Sequence, residues 1–383
     1  REDLLYAVNA VERAVSTKNT LPVLSGIMIS AHGNQLSFRA TDLEIAIECV
    51  INAAIEEEGE LVAPGRKLSA LAKGLGSGPL TLESVGQEQL LIKYDRGQIS
   101  MPCYTTEEFP LLPPREGDIQ GTIPVRVFKR MVRQTGIAAS ADELRPVFTG
   151  IMLELDGDNI TMVATDTHRL AVSNDTWQGQ GKATVIVPNK VMQEIARLAN
   201  NDDDNIIITV SKSQIFFSFA NLSVTSRLIV GQFPDYHQVL PDQELFRSFL
   251  TISRLRMIES LELASVISRE IARGKGNIVR LRLDEHSVNI YSSSPDDGTF
   301  DENQEAVISG EPLTLNYNAR YLLDALRAMD DDQVTFSLTG PTTPGIIAAA
   351  ADDDLQQVAA VLLAVQAHLQ VLGQNHVPVR VLA

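Results

Sequence analysis

The run Leu21-Pro22-Val23-Leu24-Ser25-Gly26-Ile27-Met28 returns 124 residues later as Arg145-Pro146-Val147-Phe148-Thr149-Gly150-Ile151-Met152. Three further landmarks keep that offset: Ala40-Thr41-Asp42 with Ala164-Thr165-Asp166, Pro64 with Pro188, and Phe109-Pro110 with Phe233-Pro234. One such match is weak, but four in register are the mark of a duplicated domain. A worn third copy follows. Val279-Arg280-Leu281-Arg282-Leu283-Asp284 matches Ile151 to Asp156 at an offset of 128, with Val288 and Ile290 matching Ile160 and Met162. The expectation is three tandem domains of one fold, spanning residues 1–116, 117–243 and 244–383.

Each repeat opens on a helical pattern. Leu4, Leu5, Val8, Val11 and Val15 fall at helical spacing in the first, and Val127, Met131 and Val132 in the second, with Pro124 suited to a first turn. Alternating strands follow at 27–29, 35–39 and 43–50, with Gly33-Asn34 as a hairpin turn and Gly157-Asp158-Asn159 as its counterpart. A second helix follows Pro64 or Pro188, and then strands at 206–210 and 214–219. Strands joined by tight turns imply largely antiparallel sheets, an α+β arrangement. The proline-rich stretches at 110–117 and 240–243 read as stiff linkers. The last 36 residues depart from this pattern: Ala348-Ala349-Ala350-Ala351, three aspartates and an Ala/Val/Leu/Gln-rich stretch from Leu355 to Gln374. This reads as an insertion of helical character over about 348–375, ahead of a final strand from His376 to Leu382.

Composition is that of a globular protein, with 44% hydrophobic and 21% charged residues. Cys49 and Cys103 have neither metal-ligand spacing nor disulfide density, and read as buried small side chains in a reducing, cytoplasmic setting. The longest apolar run, Val358 to Val365, is far below the ~18 residues of a membrane span. The chain starts inside a helical pattern without Met, which predicts a few residues ahead of Arg1. The net charge of −17 argues against nucleic acid at first sight, but its distribution matters more. The helical segments 1–17, 64–76, 124–140, 188–200, 254–275 and 318–329 together carry +10, leaving −27 for strands and loops. Basic charge is thus gathered on helices.

Thr165-Asp166-Thr167-His168-Arg169 is the most tempting catalytic cluster. Its counterpart Thr41-Asp42-Leu43-Glu44-Ile45 keeps Thr-Asp and lacks His and Arg, so a backbone-capping turn is the better reading. No catalytic residue is assigned. The six histidines are scattered without a metal motif, and Asp202–Asp204 and Asp330–Asp332 read as solvated turns, so neither metal nor cofactor is expected. The basic helices are the stronger candidates. Arg66, Lys67 and Lys73, Lys129, Arg130 and Arg133, and Lys190 with Arg197 sit at spacings that gather charge on helix faces. Without interleaved aromatics, they point to phosphate contact rather than base readout.

Thr20-Leu21-Pro22-Val23-Leu24, the segment from Ala164 to Val172, Phe233-Pro234-Asp235-Tyr236 with Val239-Leu240-Pro241, and Pro378-Val379-Arg380 resemble the bacterial DNA polymerase III β subunit family, the sliding clamps. The likeness covers residues 1 to about 347 and resumes at about 377. It implies three tandem copies of the DNA-clamp fold and a head-to-tail homodimeric ring, with helices lining a central hole around double-stranded DNA. It also implies a non-catalytic processivity role. The implied partners are the DNA polymerase III alpha subunit, the clamp loader and other proteins with clamp-binding motifs.

Carried over position by position, the resemblance implies a partner-peptide groove between the second and third domains. It would be formed by Phe148, Thr165, Thr167, His168, Arg169, Leu170, Pro234, Gln238, Val239, Pro341, Val377, Pro378, Val379 and Arg380. Thr167 stands where the family usually has glycine, and Gln238 where a basic residue is frequent. The resemblance also places Lys18 and Arg145 near DNA, and pairs Ile99 and Met101 of one chain with Val266 and Ile267 of the other. The alternatives are a clamp-fold scaffold with weak DNA binding, and a hydrolase built on Asp166 and His168.

Overall fold

The computed structural model describes residues 1–17, 21–86, 88–268, 277–350 and, by backbone only, 359–362. It divides into two compact units, one of residues 1–167 and 171–234, the other of 168–170 and 235–383.

The first unit holds two repeats. The first repeat runs α1 (Glu2–Val11), β1 (Gly26–His32), β2 (Gln35–Thr41), β3 (Ile45–Asn52), β4 (Gly59–Pro64), α2 (Gly65–Gly74), β5 (Thr81–Val85), β6 (Gln89–Tyr94) and β7 (Gly97–Pro102). The second runs β8 (Ile119–Pro124), α3 (Val125–Gly136), β9 (Gly150–Asp156), β10 (Asn159–Thr165), β11 (Arg169–Thr176), β12 (Gln178–Gly179), β13 (Lys182–Pro188), α4 (Asn189–Leu198), β14 (Asn205–Val210), β15 (Gln214–Phe219) and β16 (Leu222–Arg227). The second unit repeats the plan: β17 (Ser248–Ser253), α5 (Arg254–Ser268), β18 (Ile278–Leu283), β19 (Ser287–Ser294), β20 (Gly298–Glu305), β21 (Val307–Gly310), β22 (Thr314–Asn318), α6 (Ala319–Ala328), β23 (Gln333–Leu338), β24 (Gly345–Ala349) and β25 (Ala359–Leu362). All six expected helices are present.

Local chemistry explains these elements. Gly33 (φ +60°) and Gly157 (φ +65°) supply the left-handed backbone of two-residue hairpin turns, which side chains with a Cβ adopt at a cost. In α3, Val125, Phe128, Met131, Val132 and Thr135 are buried, while Arg126, Lys129, Arg130 and Arg133 share the opposite face. Pro64, Pro124 and Pro188 stand immediately ahead of helices, where a missing N–H costs nothing. Leu4, Val8 and Val11 of α1 are sunk into the same core as Phe38, Ile47 and Leu68. Full burial of each such side chain stabilises by about 1.5–3 kcal/mol.

Sheet topology ties the first two repeats together. One nine-stranded sheet runs β12-β8-β14-β15-β16-β3-β2-β1-β4, so the closing strands of the second repeat pair with the opening strands of the first. The joint is antiparallel β16 on β3, from Leu222↔Cys49 to Ser226↔Ile45, and Asn221 Nδ2 donates to Val50 O at 2.9 Å beside it. The first repeat's own closing strands form a separate sheet β5-β6-β7, and in the second unit β20-β19-β18-β22 form another. Among the described residues, strands β7 and β20 are therefore edges.

The structure amends several expectations. The second and third repeats open on strands β8 and β17 before their helices. Leu43 is in the β2–β3 turn at φ +78° rather than in a strand, which begins at Ile45. Cys49 is fully buried, and burial pushes its thiol up to about 12, whereas Cys103 is only half-buried. The C-terminal reading changes most. Ala348 and Ala349 end strand β24, and Ala359–Leu362 pair with it antiparallel, Gly345↔Leu362 to Ile347↔Ala360. At these two places the chain is strand rather than helix: alternating exposure was absent from the sequence because β24 is buried on both faces. Among the described residues β24 is flanked by β23 and β25, and a final strand was expected over His376–Leu382. Those residues lie outside the described ones, as do Leu355–Val358 and Leu363–Gln374.

Candidate functional site

The Thr-Asp turns are built from the backbone upward. Thr41 Oγ1 donates to Ile45 O at 2.9 Å and accepts from the Leu43 N–H at 3.0 Å, while Asp42 Oδ1 accepts from the Glu44 and Ile45 N–H groups, both at 2.9 Å. The carboxylate that a hydrolase would need is spent on main-chain donors in this copy. In the second copy the Thr167 N–H donates to Thr165 Oγ1 at 3.1 Å, and Thr167 adopts φ +76°, matching Leu43. That is the left-handed region, where glycine is at ease and a β-branched residue is strained. The third copy uses the same device, with Ser294 Oγ facing the Asp296 and Asp297 N–H groups at 3.4 Å.

Of the predicted peptide-groove residues, Arg169 is the most firmly held. Its guanidinium donates to Asp324 Oδ2 at 2.7 Å and lies over the Tyr321 ring at 4.4 Å from the centroid. Its side chain is only 11% exposed, so charge pairing and a cation–π contact together compensate its burial. Leu170 is buried. Phe148 and Thr165 are half-buried, and Thr167, His168, Pro234, Gln238, Val239 and Pro341 are exposed. Gln238 Nε2 donates to Asp235 Oδ2 at 3.0 Å, and Asp235 also caps the short helical turn 236–238. Val377, Pro378, Val379 and Arg380 lie outside the described residues.

The basic helices present charge unevenly. On α3, Arg126 and Arg133 are exposed, whereas Lys129 reaches Asp202 at 2.9 Å and Arg130 pairs with Asp175. Arg126 was missed in the sequence, although its i, i+3, i+4, i+7 relation to Lys129, Arg130 and Arg133 gives the same face. On α2, Arg66 and Lys67 are exposed and Lys73 lies 3.4 Å from Glu12. Lys190 is exposed on α4, and Arg197 is 2.7 Å from Glu194, which Arg13 also meets at 2.7 Å. Arg145 is 3.4 Å from Asp142 and rests over the Phe148 ring. Lys18 lies outside the described residues. Exposed ion pairs of this kind contribute about 0–1 kcal/mol.

The expected dimer seam is distributed differently from its sequence reading. Met101 is 4% exposed and packs in the core of its own chain, and Ile99, two residues away on the same face of β7, is half-buried there. Val266 is 55% exposed on α5, and Ile267 is half-buried. Among the described residues no group of three or more His, Cys, Asp or Glu side chains is placed to hold a metal ion, and no helix is long and apolar enough to cross a membrane.

Comparison with known proteins agrees with this architecture repeat by repeat. Residues 1–113 match the N-terminal domain of the DNA polymerase III beta subunit, 122–235 its central domain and 237–362 its C-terminal domain. The third match ends with β25. The beta sliding clamp of Staphylococcus epidermidis is 30% identical over 368 residues, covering 94% of this chain and 96% of that protein. The DNA polymerase sliding clamp from Bacillus subtilis superposes with a TM-score of 0.89 at 27% identity, covering 95% of this chain and 97% of the other. A sliding clamp from Pseudomonas aeruginosa bound to griselimycin gives 0.88 at 28%, covering 95% and 97%. Three repeats of one fold, matched in order along the chain, make this protein a member of the DNA polymerase III beta subunit family.

Proposed function

We propose that the chain is a DNA sliding clamp: a non-catalytic, cytoplasmic processivity factor that closes as a homodimer around duplex DNA and tethers the replicative polymerase and other partners. The observation that carries the assembly is the β16–β3 joint. Inside the first unit, the last strand of one repeat's closing sheet pairs with the third strand of the preceding repeat's opening sheet. Strand β7 is the counterpart of β16, and β20 is the counterpart of β3, yet both are edges here. An edge strand with unpaired N–H and C=O groups is a template for another chain. Pairing β20 of one copy with β7 of a second, twice over, supplies both edges with partners and closes a cycle. Val266 and Ile267 on α5 join this contact, with Ile99 and Met101 forming the core beneath β7 rather than its outer surface.

In this reading the basic faces of α2, α3 and α4, with Lys18 and Arg145, meet DNA phosphates. Topological enclosure lets weak, sequence-blind contacts suffice, and the acidic remainder of the surface discourages unspecific binding. Phe148, Thr165, Thr167, His168, Arg169, Leu170, Pro234, Gln238, Val239 and Pro341 receive partner peptides, together with the C-terminal residues of the chain. The Arg169–Asp324–Tyr321 set supports this as a positioning device, because it fixes Arg169 and the adjoining Leu170. Loading onto nicked circular DNA by a clamp loader is the test. Retention on circles and release on linearisation is the expected result; equal retention on linear DNA refutes enclosure. The scaffold alternative predicts no topological retention, and the extended match to sliding clamps does not favour it.

A further inference from the structure

The joint between the first two repeats carries a second feature that the clamp function does not use. A cavity of about 250 Å³ opens on the face of the sheet where β3 meets β16, lined by Arg39, Ala46, Glu48, Ser223, Thr225 and the 112–115 segment of the linker. Two guanidinium groups converge on one carboxylate there. Arg115 pairs with Glu48, and Arg39 Nε lies 3.4 Å from Glu48 Oε1. That Arg39 N–H is buried without the geometry of a hydrogen bond, although Arg39 Nη2 donates to Ser30 Oγ at 3.1 Å. Burial first, and then the neighbouring Arg39 charge, lower the Arg115 pKa.

Nothing in the sheet geometry demands this charge. At the 124-residue offset, Arg39, Ala46 and Glu48 correspond to Val163, Leu170 and Val172, all buried and apolar. A partly buried ion set in place of packed aliphatics costs desolvation energy, which an uncompensated second arginine does not recover. The remaining wall is apolar, from Leu112, Pro113 and Pro114, and the floor offers the hydroxyls of Ser223 and Thr225. Guanidinium groups favour carboxylates through paired, charge-assisted hydrogen bonds. We propose that this cavity is a docking site for an acidic peptide segment of a partner protein, taking one carboxylate side chain between Arg39 and Arg115 and an adjacent apolar side chain against Leu112, Pro113 and Pro114. It is separate from the residues assigned above to DNA and partner peptides.

The test uses the full-length protein and saturation-transfer NMR, which reads ligand signals. The probe is acetyl-Gly-Leu-Asp-Gly-amide, with the Asn peptide as neutral control and inorganic phosphate as bare-anion control. The expected result is transfer to the Leu methyl and Asp β protons, with at least tenfold weaker binding of the Asn peptide. Arg115→Gln removes one guanidinium and is expected to lose tenfold or more. Ser223→Leu fills the cavity floor while keeping all three charged groups, and is expected to abolish binding in protein whose circular dichroism melt is unchanged. Equal binding of the Asp and Asn peptides overturns the proposal, as does undiminished binding by Ser223→Leu. Phosphate that displaces the Asp peptide with equal affinity also overturns it, since the cavity would then be an anion site without peptide selectivity.

Discussion

Thr167 sits at φ +76° in the turn between β10 and β11, and its replacement by glycine is expected to stabilise the protein. An L-residue in the left-handed region costs about 1–2 kcal/mol, and β-branching places Thr at the upper end. Glycine removes that strain but gives the unfolded chain more freedom, which takes back about 0.4–1 kcal/mol. The turn bond from the Thr167 N–H to Thr165 Oγ1 is main-chain on the donor side, so it survives the change. The net expectation is a gain of about 1 kcal/mol for Thr167→Gly. Thr167→Ala, which keeps Cβ and loses only the branch, should gain less. Urea unfolding read by fluorescence of the single tryptophan is the assay, because Trp177 is buried in the same repeat with its Nε1 donating to Gly157 O at 3.0 Å. Leu43→Gly, at the matching turn with φ +78°, serves as a parallel case. If Thr167→Gly destabilises the protein by about 0.5 kcal/mol or more, the hydroxyl or methyl group makes contacts that outweigh the backbone strain, and the reasoning fails.

Neutralising Arg126 should lower the log–log salt slope of duplex binding by about 0.9, as for one lost phosphate contact. Lys129→Gln should lower it less, because Lys129 is already engaged by Asp202 at 2.9 Å; an unchanged slope for both would put α3 away from DNA. Charged residues at Val266 and Ile267 should yield folded monomers by light scattering. Met101→Asp should instead unfold the first repeat, since Met101 is 4% exposed and an unpaired buried charge costs several kcal/mol. Gly121→Ala should destabilise by about 1–3 kcal/mol, because its Cβ would come within 2.4 Å of the Trp177 ring; a neutral melt would show that the indole shifts freely. Stability should fall as pH rises above the ordinary thiol value of 9.0, where the unfolded chain ionises Cys49 while the folded chain keeps it protonated up to about 12. Cys49→Ala should remove that component of an alkaline titration.

Periodicity was enough to read the helices, because each buries one face and the 124-residue offset places Pro64 and Pro188 alike. The basic face of α3 was legible for the same reason, apart from Arg126. The strand β8, Ile119-Gln120-Gly121-Thr122-Ile123-Pro124, was hidden by a glycine and a proline that normally argue against a strand; Gly121 is there because Trp177 lies against it. The turn conformation of Leu43 was equally hidden, since leucine gives no hint of a left-handed backbone. Met101 was placed at an exterior seam by resemblance alone, since an alternating strand does not announce which face is covered, and β7 turns its side chain inward. The joint of β16 with β3 leaves no local trace at all, as it depends on two segments far apart in the chain.

That distance has a consequence for biosynthesis. Asn221, which donates to the Val50 carbonyl beside the joint, is 172 positions downstream of Cys49. At a synthesis rate of about 5–20 residues per second, β3 waits about 10–30 s for its neighbour to be made. Throughout that interval the nascent chain carries an apolar strand with one unsatisfied side, a period of vulnerability to mispairing between neighbouring ribosomes on one message. Slow translation through the second repeat would lengthen that exposure, whereas changes of codon speed after Arg227 would leave it untouched.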